Sequence, residues 1–219
     1  EIHHHPAIPL PKNIFHNAGE TRTNTHGIDL TNPLEINRLL NKVEALKNTL
    51  EQHPWQGGPV VDGIIKTHHH LNNKNNNNSQ KLTSPADNYR VLGQYNNATP
   101  DDVETALELA HQAYKTWNAC DIDARATSLE NAAQMLEKDM ERFVALLALE
   151  AGRTLEDGIT EVREAADFLR YYAMQARLLE AKENYSVKGR GVFFCISPWN
   201  FPTATAVWKI APALAFGNA

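Results

Sequence analysis

The chain has 219 residues, a formal net charge of −5 and 42% apolar residues, which suits one domain with a core and an appendage. The mild acidity gives no basic footprint for nucleic acid, and no apolar run approaches the ~18 residues of a membrane-spanning helix. Two cysteines, Cys120 and Cys195, do not make a disulfide framework; with no basic and apolar leader, a cytoplasmic location is expected.

Glu1 to Thr31 reads as irregular, with Pro9-Leu10-Pro11 favouring extended geometry. His3, His4 and His5 are consecutive and do not converge on one ion, so they read as a solvated tract. A helix is predicted from Pro33 to about Gln52, capped by Asn32, with Leu34, Leu39, Val43, Leu46 and Leu50 as its apolar face. Gln56 to Lys66 reads as an opening strand. His68 to His70 and the asparagines to Asn78 form a low-complexity loop, and no metal site is assigned to them. After a turn at Ser84-Pro85-Ala86-Asp87, Tyr89 to Tyr95 reads as a second strand able to pair with the first.

Four helices are then expected. Thr99 caps the first, with Pro100 at its first position and Asp101 and Asp102 at its positive end. Its Val103, Ala106, Leu107, Ala110, Tyr114 and Trp117 read as core. Asp121 or Asp123 opens the next, with Leu129, Ala133 and Leu136 inward. A third starts near Asp139, carries Phe143, Leu146 and Leu147, and stops at Gly152. Thr154 with Asp157 starts the longest, to about Lys182, with Gly158 inside it. Its charges Glu161, Arg163, Glu164, Asp167 and Arg170 read as a solvated, ion-paired face.

Tyr185 to Lys188 reads as a short strand, and Gly189-Arg190-Gly191 as a turn. Val192 to Ile196 is an unbroken apolar run, which suits a strand buried on both faces of a parallel sheet. Cys195 lies inside that run and reads as a buried, inert thiol. Ser197 and Pro198 end the strand, Trp199 to Pro202 form a loop, and Thr203 to Phe216 reads as a helix. Strand, tight loop and helix form the unit that places ligands at a strand's carboxyl end.

Ile196-Ser197-Pro198-Trp199-Asn200-Phe201-Pro202, followed by Lys209 to Leu214 and Gly217-Asn218-Ala219, resembles the aldehyde dehydrogenase superfamily. Glu150-Ala151-Gly152-Arg153-Thr154 matches a family helix junction, with Arg where Lys is common. Glu161 to Ala173, His5 to Pro11 and Gly27 to Leu30 are similar to the bifunctional, proline-utilising branch of that superfamily. Thr203 to Trp208 departs from the more apolar sequence usual in that branch.

The resemblance implies an α/β fold: the N-terminal part of a Rossmann-like cofactor domain, mostly helical here, over residues 55–219. Residues 1–54 would form an arm that follows a proline dehydrogenase domain outside this sequence. It implies an NAD-dependent oxidation of L-glutamate γ-semialdehyde to glutamate, with FAD serving the other domain. Ile196, Ser197, Pro198, Trp199 and Asn200 would border NAD, and Asn200 would donate to an oxyanion. The nucleophilic Cys and general-base Glu of the family would lie past Ala219, leaving this stretch inactive alone. A small-molecule aldehyde and a homo-oligomer are the expected partners, with DNA or membrane reached only through regions outside this sequence. The alternatives are another NAD(P)-dependent aldehyde dehydrogenase, or a non-catalytic binding module.

Overall fold

The computed structural model describes residues 5, 7–10, 13–66, 79–182 and 188–219. The histidines at 3 and 4, the histidine and asparagine tract at 68–78, and residues 185–187 of the expected short strand lie outside the described residues. One turn of helix, α1 (Ile14–Asn17), precedes an extended segment. α2 (Pro33–Gln52) starts as predicted: Pro33 takes the first turn and the Leu34 N–H donates to Asn32 Oδ1 at 3.0 Å. Leu39 and Leu50 are buried, but Leu34 is exposed. Five residues at ~100° each leave it about 140° round the helix from Leu39.

The expected strand over 56–66 is broken into pieces. β1 (Trp55–Gly57) is separate, and β2 (Val60–Val61) and β3 (Ile64–Ile65) form an antiparallel hairpin. Asp62 and Gly63 between them have φ of 54° and 71°, the geometry that Asp-Gly adopts in tight hairpins. β4 (Ser79–Thr83) and β5 (Val91–Asn96) complete a three-stranded sheet ordered β1–β5–β4. β5 runs parallel to β1 and antiparallel to β4, so the predicted pairing of the two strands is present, but β4 was unforeseen. A Cβ at Gly93 would lie 2.3 Å from the Trp55 carbonyl oxygen, so β1 closes on β5 only against glycine.

α3 (Pro100–Ala119) opens on a full capping box. The Asp102 N–H donates to Thr99 Oγ1 at 3.2 Å, and the Thr99 N–H donates to Asp102 Oδ2 at 2.8 Å. None of its residues is buried, and Val103 and Leu107 are exposed. Their reading as core is therefore corrected: the spacing defines an apolar face, but no described element covers that part of it. α4 (Ile122–Lys138), α5 (Met140–Glu150), α6 (Leu155–Glu180) and α7 (Ala204–Ala215) follow. Gly152 has φ of 66°, and the Asp157 N–H donates to Thr154 Oγ1 at 3.1 Å.

α6 organises the rest by packing against α4, α5 and α7. One cluster joins Ala126, Leu129 and Ala133 to Ala166, Leu169, Ala173, Ala211 and Ala215; the alanines let three helices approach closely. A second joins Leu39 to Met140, Val144, Leu147, Ile159 and Val162, so α2 packs on the domain. Gly158 costs a helix about 1 kcal/mol relative to Ala. A Cβ there would lie 3.2 Å from Val144 Cγ1, which accounts for it.

Glu161, Asp167 and Arg170 of α6 are ion-paired as expected, but of the five charges only Glu164 is exposed. Glu161 and Arg170 are buried, while Arg163 and Asp167 are half-buried. The cause is the extended segment, whose Thr25 lies across the helix. Thr25 donates from N–H and Oγ1 to Asp167 Oδ1 at 3.0 and 2.6 Å, and its carbonyl accepts from Arg163 Nε at 3.2 Å. Arg170 donates to Thr25 Oγ1 and to Glu137.

Burial opposes ionisation of Glu137. The His26 N–H at 2.8 Å and the Arg170 guanidinium outweigh it and hold the carboxyl below its ordinary pKa. The stability this contributes is complete above the unfolded value, about 4.3, and is lost as pH falls through the depressed folded value. Amide protection at Thr25 and His26 is expected to drop in that acid window. Glu137→Gln should flatten the drop, and an unchanged pH profile would show that Glu137 does not carry it.

Candidate functional site

The C-terminal end of α3 builds the frame for the loop. Tyr114 Oη donates to the Gly189 carbonyl at 2.6 Å, and Asn118 Oδ1 accepts the Gly189 N–H at 2.7 Å. Trp117 Nε1 donates to the Leu214 carbonyl at 2.9 Å. Asn218, buried, accepts the Arg190 N–H at 2.5 Å and donates to the Ala213 carbonyl at 3.1 Å. Arg125, only 2% exposed, reaches the carbonyls of Trp117, Asn118, Cys120 and Ala215. One cation thus serves the negative ends of α3 and α7.

This frame brings Ala219 beside Val192. The Ala219 N–H donates to the Gly191 carbonyl at 3.1 Å, and the Phe193 N–H donates to the Ala219 carbonyl at 2.7 Å. That alternation is one step of a parallel ladder. The loop and α7 follow as predicted, but residues 192–196 form no regular strand, and the parallel neighbour at Ala219 was not foreseen.

The burial of Val192 to Ile196 is not as predicted. Val192, Phe193, Phe194 and Ile196 are exposed, and Cys195 is half-buried rather than enclosed. Beyond the Ala219 step, no strand lies beside this segment among the described residues, because β1, β4 and β5 form a separate sheet.

The predicted site residues Ile196, Ser197, Pro198, Trp199 and Asn200 are consecutive and exposed, Trp199 at 85%. Among the described residues the Asn200 side chain makes no hydrogen bond. The loop is fixed from behind instead. Glu161 Oε1 accepts the N–H groups of Thr203 at 2.8 Å and Ala204 at 3.3 Å. Glu161 Oε2 lies 3.5 Å from Arg153 Nε, and the Arg153 guanidinium sits 4.4 Å from the Phe201 ring centroid.

Sequence reasoning missed Glu161 and Arg153. The available signal was that Gly158, Glu161, Ala165 and Leu169 share a stripe at helical spacing, with small neighbours that invite close packing.

An apolar hollow lies elsewhere. It holds about 510 Å³ between α4, α5 and α7, lined by Trp117, Leu129, Met135, Phe143, Ile210 and Leu214 among others. Asp139 is its one charged group, so it offers little for catalysis. A cavity of about 590 Å³ beside β1 and β5 includes Glu150, whose carboxyl is pushed up by burial. Among the described residues no cluster of His, Cys, Asp or Glu has metal-binding geometry.

An extended segment leading through a short loop into a helix, with Ala219 beside its start, is the local order of an α/β unit. The model of the aldehyde dehydrogenase family matches residues 72–219, and the chain belongs to that family.

The chain is 38% identical over 214 residues to the bifunctional protein PutA of Escherichia coli strain K12, covering 98% of this chain and 15% of that protein. It is 33% identical over 153 residues to the 1-pyrroline-5-carboxylate dehydrogenase of Geobacillus sp. strain WCH70, covering 64% of this chain and 29% of that protein. The fold superposes on proline utilization A of Bdellovibrio bacteriovorus with a TM-score of 0.81 at 24% identity, covering 98% of this chain and 22% of that one. The chain thus spans about 15% of the length of the PutA relatives.

Proposed function

We propose that this chain is part of a bifunctional enzyme of proline catabolism, and that its portion serves the oxidation of L-glutamate γ-semialdehyde to glutamate with NAD. One observation carries the reading. The similarity to PutA takes in both the N-terminal segment and the Asn200 loop, whereas that to the single-function dehydrogenase covers 64% of the chain. On this reading residues 1–54 form an arm after an FAD-dependent proline dehydrogenase domain, and residues 55–219 open the aldehyde dehydrogenase domain. A cytoplasmic, homo-oligomeric enzyme belongs to the same reading.

The residues present fit one wall of a nicotinamide site. Ile196 and Trp199 offer exposed apolar surface for a planar ring, and Ser197 to Asn200 offer an exposed loop at a helix start. NAD, when bound, accepts a hydride. Asn200 supplies an amide N–H to the oxygen that gains charge when a thiolate adds to the aldehyde carbon. The thiol and the general base come from outside this sequence, and water completes the conversion to carboxylate.

The test is NADH formation by the intact protein supplied with 1-pyrroline-5-carboxylate. Turnover with that substrate, exceeding turnover with simple aliphatic aldehydes, is expected. Preference for an unrelated aldehyde would favour a different dehydrogenase of the same family.

A further inference from the structure

We infer that Glu161 is a positioning residue for Asn200, acting through the start of α7. The inference rests on the proposed role of the Asn200 loop. Glu161 belongs to α6 and is 0% exposed. α7 receives no side-chain cap from its own Thr203, and a carboxylate from another helix takes that place by accepting the Thr203 and Ala204 N–H groups. An anion at a helix start is favoured by the helix dipole, and charge-assisted bonds there are stronger than neutral ones.

The other oxygen of the same carboxylate faces Arg153, whose guanidinium lies over Phe201. One buried group therefore holds the chain by hydrogen bonds at 203–204 and, by a looser ion pair with Arg153 that is not a hydrogen bond, reaches residue 201. Only Phe201 and Pro202 separate Asn200 from the held amide of Thr203, and the ring of Pro202 restricts one of the intervening torsions. The Asn200 backbone has little room to shift while Glu161 stays in place.

A capping hydroxyl on Thr203 would also satisfy the start of the helix. It would not tie the loop to α6 or to Phe201. The arrangement therefore sets where the amide of Asn200 sits, and a sub-ångström displacement of such a donor weakens it most in the transition state.

The experiment is a double-mutant cycle in the intact protein, with Glu161→Gln, Asn200→Ala and both together. Glu161→Gln keeps the shape and removes the charge. It is expected to lower kcat for aldehyde oxidation about 10-fold, with KM and the Kd for NAD within about twofold. The Thr203 and Ala204 amides should also exchange faster. In the Asn200→Ala background the same substitution should cost nothing further, because Glu161 then has no donor to position.

An equal loss in both backgrounds, or wild-type kcat in Glu161→Gln, overturns the inference. Wild-type kcat in Asn200→Ala overturns instead the reading on which it rests. If Glu161→Gln fails to give folded protein, Arg153→Lys enters the same cycle, with the same non-additivity expected and the same equal loss decisive against it.

Discussion

Asn200→Ala in the intact protein is expected to lower kcat for aldehyde oxidation by about 10²–10³, the loss seen when one oxyanion donor is removed. The argument is one of differential binding. The substrate carbonyl is neutral, so a single amide N–H contributes little to its affinity, and KM should change little. When a thiolate adds, the oxygen gains close to a full charge, and the same N–H then contributes roughly 3 kcal/mol. Asn200 is exposed and makes no side-chain hydrogen bond among the described residues. Its truncation should therefore leave the melting temperature unchanged, which separates a catalytic loss from a folding one. A variant that lost both activity and stability would show that Asn200 serves the loop and not the oxyanion.

The second large effect concerns Arg125→Met. The side chain is buried and donates to carbonyls at the ends of two helices, with Ala215 O at 3.1 Å the clearest contact. Methionine matches the length of the stem but offers no donor. Each buried carbonyl left without a partner costs about 1–3 kcal/mol, so a loss of about 3 kcal/mol or more is expected. The midpoint of urea unfolding, followed by far-ultraviolet circular dichroism on the intact protein, should fall accordingly. Gly217 lies beside the Arg125 guanidinium, with its ideal Cβ position 3.5 Å from Cζ, so the Val192–Ala219 step should loosen as well. An unchanged midpoint would mean that water replaces the guanidinium without penalty.

Local signals were legible and long-range ones were not. Asn32, Thr99 and Thr154 were readable as helix caps because a cap depends on residues two or three apart. The Pro-Trp-Asn-Phe loop was legible by resemblance, and it stands between an extended segment and α7 as expected. α3 was misread because helical spacing identifies an apolar stripe without saying what covers it. The opening strand was misread because Asp62-Gly63, a strong hairpin signal, was passed over within an apolar run. β4 begins Ser79-Gln80-Lys81 and shows no pattern that marks it as a strand. The carboxylates of α6 were misread because only one side of the helix, with Asp157, Thr160 and Glu164, faces solvent, while α4, α5, α7 and the segment at Thr25 cover the rest. The group that fixes the Asn200 loop was hidden for the same reason: Glu161 is 39 residues away in sequence.

The contacts of Thr25 with α6 span 138–145 residues. Closing a loop of that length costs about 4 kcal/mol of chain entropy, beyond a constant, before any of those bonds forms. α4, α5 and α6 are consecutive and meet without such a cost. The helices should therefore assemble first and the N-terminal segment should dock last, onto a surface already made. The same segment is then the first to leave, by a local opening that keeps the helices intact. Limited proteolysis under mildly destabilising conditions should cut between Gly19 and Thr31 while α6 stays protected.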